Sequence, residues 1–364
     1  MTLISKDAKI YVAGHKGLVG SAIMENLREK GFTNLIGRTH VELDLLDSVA
    51  VDNFFNEEKP DVVVLAAAHV GGIMANSTYR ADFILDNLGI QQNVISSSLR
   101  HNVNRLLFLG STCIYPREAE QPIKEDSLLS SSLEYTNEPY AIAKIAGMKM
   151  CEAINLQYGK DYISVMPTNL YGPGDNFHLE NSHVLPGMMR KMHLAKLLNE
   201  NNEIAIREDL RKRPIDGIDS QNCEFEEIKE ALAKRGIYSD RIKLWGTGKP
   251  FREFLWSKDM ADAAVYVLLN VSFYDLAKEC LDNNRPVRNC HINIGTGKEI
   301  EIYNLAEQIK QVVCYRGMLE WDSSKPDGTL RKLCDVSRLH SLGWKHKIEL
   351  PDGIRKLYEW YLNN

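Results

Sequence analysis

The sequence predicts an α/β fold built on a doubly wound parallel sheet, and three features carry that expectation. Short apolar runs alternate with longer amphipathic ones over the first 170 or so residues, a glycine-rich turn joins the first pair, and strand and helix signals resume toward the C-terminus. Strands separated by helices run parallel, because each return crossing lays a helix on a face of the sheet with a right-handed turn.

KIYVAG (9–14) reads as a buried strand, LVGSAIMENLREKG (18–31) as a helix closed by Gly31, and TNLIGR (33–38) as the second strand. SVAVDNFFNEE (48–58) has a helical pattern, DVVVLAAA (61–68) is an apolar strand, and a helix from about 79 to 101 leads into the strand NRLLFLGS (104–111). A helix ending near 158 and the strand DYISVMPTN (161–169) complete this half. After NLYGP (169–173) the rhythm breaks into Gly, Pro, Asn and polar side chains. The tract from about 199 to 243 is highly charged and reads as a solvated insertion, with CEFEEIKEALAKRG (223–236) as an exposed helix stopped by Gly236. Strand and helix signals return in 245–269 and 290–309.

The 364 residues are 44% hydrophobic and 26% charged, enough for a sizeable core. A net charge of -5 gives no basic field, so nucleic acid is not an expected partner. The N-terminal MTLISKDAKIYVAG lacks a leader pattern and no long uninterrupted apolar run follows, so a cytoplasmic protein with no membrane association is expected. Seven cysteines (113, 151, 223, 280, 290, 314 and 334) form no Cys-x-x-Cys pair, which argues against a disulfide framework or a zinc site.

Gly14-His15-Lys16-Gly17-Leu18-Val19-Gly20 sits where the first strand meets the first helix. Glycines there permit a tight turn and close approach of a pyrophosphate, and free N–H groups at the helix start attract the anion. These seven residues are the expected dinucleotide loop of a Rossmann domain. The second strand ends in Arg38-Thr39 rather than an acid, and Lys16 adds a cation. Two cations near the adenosine ribose favour a 2′-phosphate, hence NADP(H), with Asp44 placed near the adenine.

Tyr140 and Lys144 are four apart and share one helical face. With the strand-end GSTCIYP (110–116) they supply what hydride transfer to a carbonyl requires: a phenol to move the proton, a cation to lower its pKa, and a hydroxyl, Ser111 or else Thr112, to fix the oxygen. A non-catalytic dinucleotide sensor would not need the Tyr–Lys pair.

The glycine loop, the Ser–Tyr–Lys set and the strand order resemble the extended short-chain dehydrogenase/reductases that act on nucleotide sugars, and within them the GDP-L-fucose synthase family. The resemblance rests on AGHKGLVGSAI (13–23), AAAHVGGIMANSTYRADFI (66–84), LFLGSTCIYP (107–116), EPYAIAKIAGMKMCE (138–152), SVMPTNLYGPGDNFHLENSHVLP (164–186), WGTGKPFREFL (245–255) and SKPDGTLRKL (324–333). It spans almost the whole chain, and the tract at 199–243 departs from it. The resemblance implies NADPH-dependent 3,5-epimerisation and 4-reduction of GDP-4-keto-6-deoxymannose, or C4 reduction of another GDP-4-keto sugar such as a 6-deoxy-heptose, with or without epimerisation. A dehydratase is disfavoured, since such relatives carry an Asp-Glu pair where this chain has Cys113-Ile114.

It assigns proton relay beside the ketone to Cys113 and His183, and cofactor contacts to Lys144, Pro167, Asn169, Leu170 and His183. Asn169, Lys191, Trp245, Arg252 and Asp327 are the implied substrate contacts. Residues 1–170, joined by part of 245–300, are expected to form the NADP-binding domain, and 171–364 mainly a smaller α/β domain for a GDP-linked 4-keto sugar. The family's habit of dimerising through two helices per subunit implies a homodimer joined by the helices at 79–101 and 139–158.

Overall fold

The computed structural model describes residues 3–325 and 327–364; Pro326, within SKPDGTLRKL, and the first two residues lie outside them. The first half runs β1 (Ile10–Ala13), α1 (Leu18–Glu29), β2 (Leu35–Ile36), α2 (Ser48–Glu58), β3 (Val62–Leu65), α3 (Ile73–Thr78), α4 (Arg80–Arg100), β4 (Arg105–Leu109), α5 (Glu138–Tyr158) and β5 (Asp161–Pro167). There follow β6 (Asn169–Tyr171), α6 (Val184–Asn199), α7 (Glu203–Lys212), α8 (Phe225–Lys234), β7 (Arg241–Trp245), β8 (Phe251–Trp256), α9 (Ser257–Asn270) and α10 (Phe273–Asp282). The chain closes with β9 (His291–Ile294), β10 (Glu299–Glu301), α11 (Ile302–Val313), β11 (Met318–Asp322), α12 (Ser337–Ser341) and α13 (Leu350–Asn363).

Six strands form one sheet in the order β2-β1-β3-β4-β5-β9, every pair parallel. Its strands are buried on both faces, which is why they read as continuous apolar runs. Alternate residues serve opposite cores. Ile10, Val12, Val62 and Val64 pack with Ile23 and Leu27 of α1 and with Met260 and Ala264 of α9, whereas Tyr11, Ala13, Val63 and Leu65 pack with Phe55 of α2, Val94 of α4 and Met148 of α5. The winding reverses between β1 and β3, and open sheets of this kind bind ligands outside the strand C-termini at such a point.

The chain changes sheet at Thr168. The expected strand over 161–169 ends at Pro167, and β6 pairs instead with β8 in a second sheet of order β10-β8-β6. The second strand is also shorter than expected, confined to Leu35–Ile36.

The 199–243 tract is not a solvated insertion, and its helix is not merely exposed. Ile206 and Leu210 of α7 and Ile228, Ala231 and Leu232 of α8 enter the same core as Met189 and Met192 of α6 and Ile354 and Leu357 of α13. Arg190, fully buried on α6, donates to Asp209 of α7 at 3.0 Å and to the Phe177 carbonyl at 3.1 Å. The charged outer faces hide an apolar stripe at i, i+3 and i+4 spacing, and that stripe decides the packing. Among the described residues no single helix is long and apolar enough to cross a membrane.

Candidate active site

A cavity of about 900 Å³ opens at the C-terminal ends of β1, β3, β4 and β5 and runs under β7 and β8. Of the residues expected to form the site, all but His15 and Lys16 line it.

At one end the glycine turn leaves no room for side chains. A Cβ on Gly14, whose φ is +85°, would stand 2.7 Å from the Ala67 nitrogen, and one on Gly20 would stand 2.1 Å from the Gly14 carbonyl oxygen. Gly17 caps α1 with no side chain over its first N–H groups, so these donors remain for an anion. The turn therefore fits a dinucleotide pyrophosphate.

Arg38 and Asp44 line the adjoining part of the cavity. Lys16 is exposed and outside the cavity lining, yet it and Arg38 both act on the Glu42 carboxylate; Arg38 also pairs with Glu58 at 2.5 Å. His15 turns to the back of the turn, where its ring fills the space beside Gly37.

Tyr140 and Lys144 project from the first turns of α5, which starts with Glu138 and Pro139. Lys144 is 4% exposed; its ammonium donates to the Leu109 carbonyl at 2.8 Å and lies 5.8 Å from the Tyr140 ring. Burial pulls Lys144 down to about 7. Lys144 does not lower the Tyr140 pKa as expected. Burial pushes the phenol well up, Cys113 adds to that, and the Ser111 hydroxyl opposes it. The phenol is therefore neutral near neutral pH.

β4 ends at Leu109, and the backbone is again extended at Ser111. A 3₁₀ turn over Thr112–Ile114 takes over, capped by Ser111, whose Oγ accepts from the Cys113 N–H at 3.2 Å. Both side chains nevertheless line the cavity, as does buried Thr112. Cys113 Sγ accepts from Asn137 Nδ2 and from Lys332 Nζ, each at 3.4 Å. His183, which caps α6, opens into the same cavity, and desolvation holds its imidazole below the ordinary histidine value.

Pro167, Asn169 and Leu170 carry the wall from β5 to β6, with Asn169 tied to the Glu253 carbonyl at 2.8 Å. Beyond them stand Lys191, Trp245, Arg252 and Asp327. Lys191 is buried, donates to the Arg235 carbonyl at 2.9 Å, lies 5.8 Å from the Trp245 ring, and is lowered to about 8 by desolvation. Arg252 donates to the Asp327 carbonyl at 3.3 Å, and the Asp327 carboxylate accepts from Thr247 N–H and Oγ1 at 2.7 and 2.8 Å. Trp245 keeps 39% of its surface exposed. An aromatic face between two cations, Lys191 and Lys325, suits a base or sugar ring with a phosphate beside it.

Sequence reasoning missed Asn137, Arg235 and Lys332. Asn137 stands directly before the Tyr140 helix and Lys332 within SKPDGTLRKL, so each had a local signal but no visible partner.

The model of the NAD dependent epimerase/dehydratase family matches residues 10–213. GDP-L-fucose synthase 1 of Arabidopsis thaliana is 50% identical over all of this chain and 96% of its own length. GDP-L-fucose synthase of Escherichia coli K12 is 48% identical over 98% of this chain and 97% of its own. The solved structure of a GDP-D-glycero-L-gluco-heptose synthase from Campylobacter jejuni, determined in the presence of NADPH, superposes with a TM-score of 0.89 at 45% identity, covering 99% of both chains. The chain belongs to the NAD dependent epimerase/dehydratase family, in the group that includes the GDP-L-fucose synthases.

Proposed function

We propose that this protein is an NADPH-dependent 3,5-epimerase and 4-reductase that converts GDP-4-keto-6-deoxy-D-mannose to GDP-L-fucose. One observation carries the reading: Tyr140, Cys113 and His183 line the same cavity as the glycine turn and as Lys191, Trp245 and Arg252. The GDP-L-fucose synthase relatives support the substrate class.

The Gly14–Gly20 turn, Arg38, Asp44, Lys144 and Asn169 hold the dinucleotide, which when bound supplies the hydride for carbon 4. Arg38 meets the 2′-phosphate, and the NADPH used with the related heptose synthase agrees. Lys191, Trp245, Arg252 and Asp327 hold the GDP sugar. The carbon-4 ketone acidifies the hydrogens on carbons 3 and 5, so a base on one face and an acid on the other invert each centre; Cys113 and His183 fill those roles. Tyr140 then protonates the oxygen at carbon 4, with Ser111 positioning it.

Residues 1–170, joined by β9 and α9, form the dinucleotide domain, and the remainder forms mainly the nucleotide-sugar domain. The enzyme is a homodimer through α4 and α5, whose outward Leu85, Ile142 and Leu156 are exposed. It works in the cytoplasm.

The similarity to a heptose synthase over 99% of both chains favours a second reading, C4 reduction of a GDP-4-keto-heptose. NADPH oxidation measured with the 6-deoxymannose and the heptose 4-ketones, with the products identified by NMR, decides between them. Faster turnover of the first to GDP-L-fucose supports the main reading; turnover of the heptose alone refutes it.

A further inference from the structure

Lys332 faces the Cys113 sulfur and no acid of its own. Its ammonium lies 3.4 Å from Sγ, and among the described residues no carboxylate stands within 4.0 Å of it. Holding a flexible lysine against a thiol costs side-chain entropy unless the chain delivers it. Here the segment on either side is tied down. The Leu330 carbonyl accepts from Phe251 N–H at 2.8 Å, and Arg331 Nε donates to Glu299 at 2.7 Å. Leu333 N–H donates to Gln121 Oε1 at 2.7 Å while its carbonyl accepts from Ile123 N–H at 2.7 Å. Cys334 N–H donates at 3.1 Å to Glu253, a fully buried carboxylate that also accepts from Gly297 N–H at 2.7 Å.

The groups around Cys113 come from four elements. Lys332 and Arg252 of β8 are cations, Asn137 donates a hydrogen bond to the sulfur, the Ser111 hydroxyl lies beside it and accepts from the Cys113 N–H, and Tyr140 of α5 is a neutral phenol. Glu134 lines the same end of the cavity, but Arg117 at 3.5 Å and the Thr329 hydroxyl at 3.4 Å engage its carboxylate. Burial pushes the thiol up; the Lys332 ammonium, the Ser111 hydroxyl and Arg252 outweigh it and hold the thiol below the ordinary cysteine value.

We propose that Lys332 is a positioning residue that holds Cys113 as the thiolate base beside the sugar ketone, an inference that rests on the proton-relay role given to Cys113 above. In the step, the thiolate takes a proton from the carbon next to the ketone. The C–H electron pair passes into an enolate, and an acid on the opposite face returns a proton to that carbon. Cys113 releases its own proton to solvent through the open cavity, and Lys332 stays protonated throughout.

The test compares the full-length protein with Lys332→Met, Lys332→Gln and Lys332→Arg. The first readout is alkylation of Cys113 by iodoacetamide against pH, followed by mass spectrometry of its peptide, which needs no substrate. Replacing the cation by Met or Gln is expected to move the inflection up by about one pH unit, a roughly tenfold loss of reactivity near neutrality, with Arg restoring it. The second readout is solvent deuterium entering the keto-sugar, expected to slow in the Met and Gln variants. An unchanged alkylation profile in whichever of the two folds overturns the proposal. So does a shifted profile with unchanged exchange. Wild-type enzyme that reduces the keto-sugar without exchange would instead refute the epimerase role while the alkylation profile still reports on the pair.

Discussion

The Lys144 ammonium donates to the Leu109 carbonyl at 2.8 Å while lying 5.8 Å from the Tyr140 ring. One turn of α5 thus places a buried ammonium and a neutral phenol side by side at the end of β4, and both line the cavity.

Tyr140→Phe removes the proton donor and leaves the ring. Reduction is expected to fall roughly hundredfold or more, while proton exchange beside the ketone continues. Stopped-flow NADPH oxidation and deuterium incorporation read the two halves separately. Retained reduction would remove Tyr140 from the role of acid.

Lys144 titrates at about 7 in the fold against 10.5 for the free side chain. Within that window the unfolded chain binds more protons, so raising the pH stabilises the ligand-free protein, by at most about 1.4 kcal/mol per unit from this group. Lys144→Met abolishes the titration. Urea melts at several pH values across the window should show the wild type gaining on the variant as pH rises; parallel curves would contradict the burial of the charge.

Asp209→Ala leaves Arg190 buried without its carboxylate and frees the Tyr361 hydroxyl. A loss of about 3–5 kcal/mol is expected. A melting temperature equal to wild type would mean that the 199–243 tract is not part of the core.

Arg38→Ser should weaken NADPH binding by about tenfold to hundredfold, the value of one charge-assisted phosphate contact, and leave NADH binding nearly unchanged. Fluorescence titration of both cofactors checks it. Equal losses for the two would place Arg38 away from the 2′-phosphate.

What was legible in the sequence was local. Gly14, Gly17 and Gly20 announced their turn because one short stretch contains strand, turn and helix, and Tyr140 and Lys144 announced their face by helical spacing. Long-range partners were not legible. Lys332 meets Cys113 across 219 residues, and Lys191 meets the Arg235 carbonyl through a tract whose charge concealed its buried stripe. The state of Tyr140 is not legible for the same reason: the spacing shows Lys144 nearby, but only the fold shows that burial and Cys113 raise the phenol.

The central claim is that one cavity carries both proton relay and reduction. Incubation with GDP-4-keto-6-deoxymannose in deuterated water, with and without NADPH, tests it most directly. Deuterium at carbons 3 and 5 in both samples, and GDP-L-fucose only where NADPH is present, is the predicted result. A reduced product free of deuterium at both carbons would contradict it.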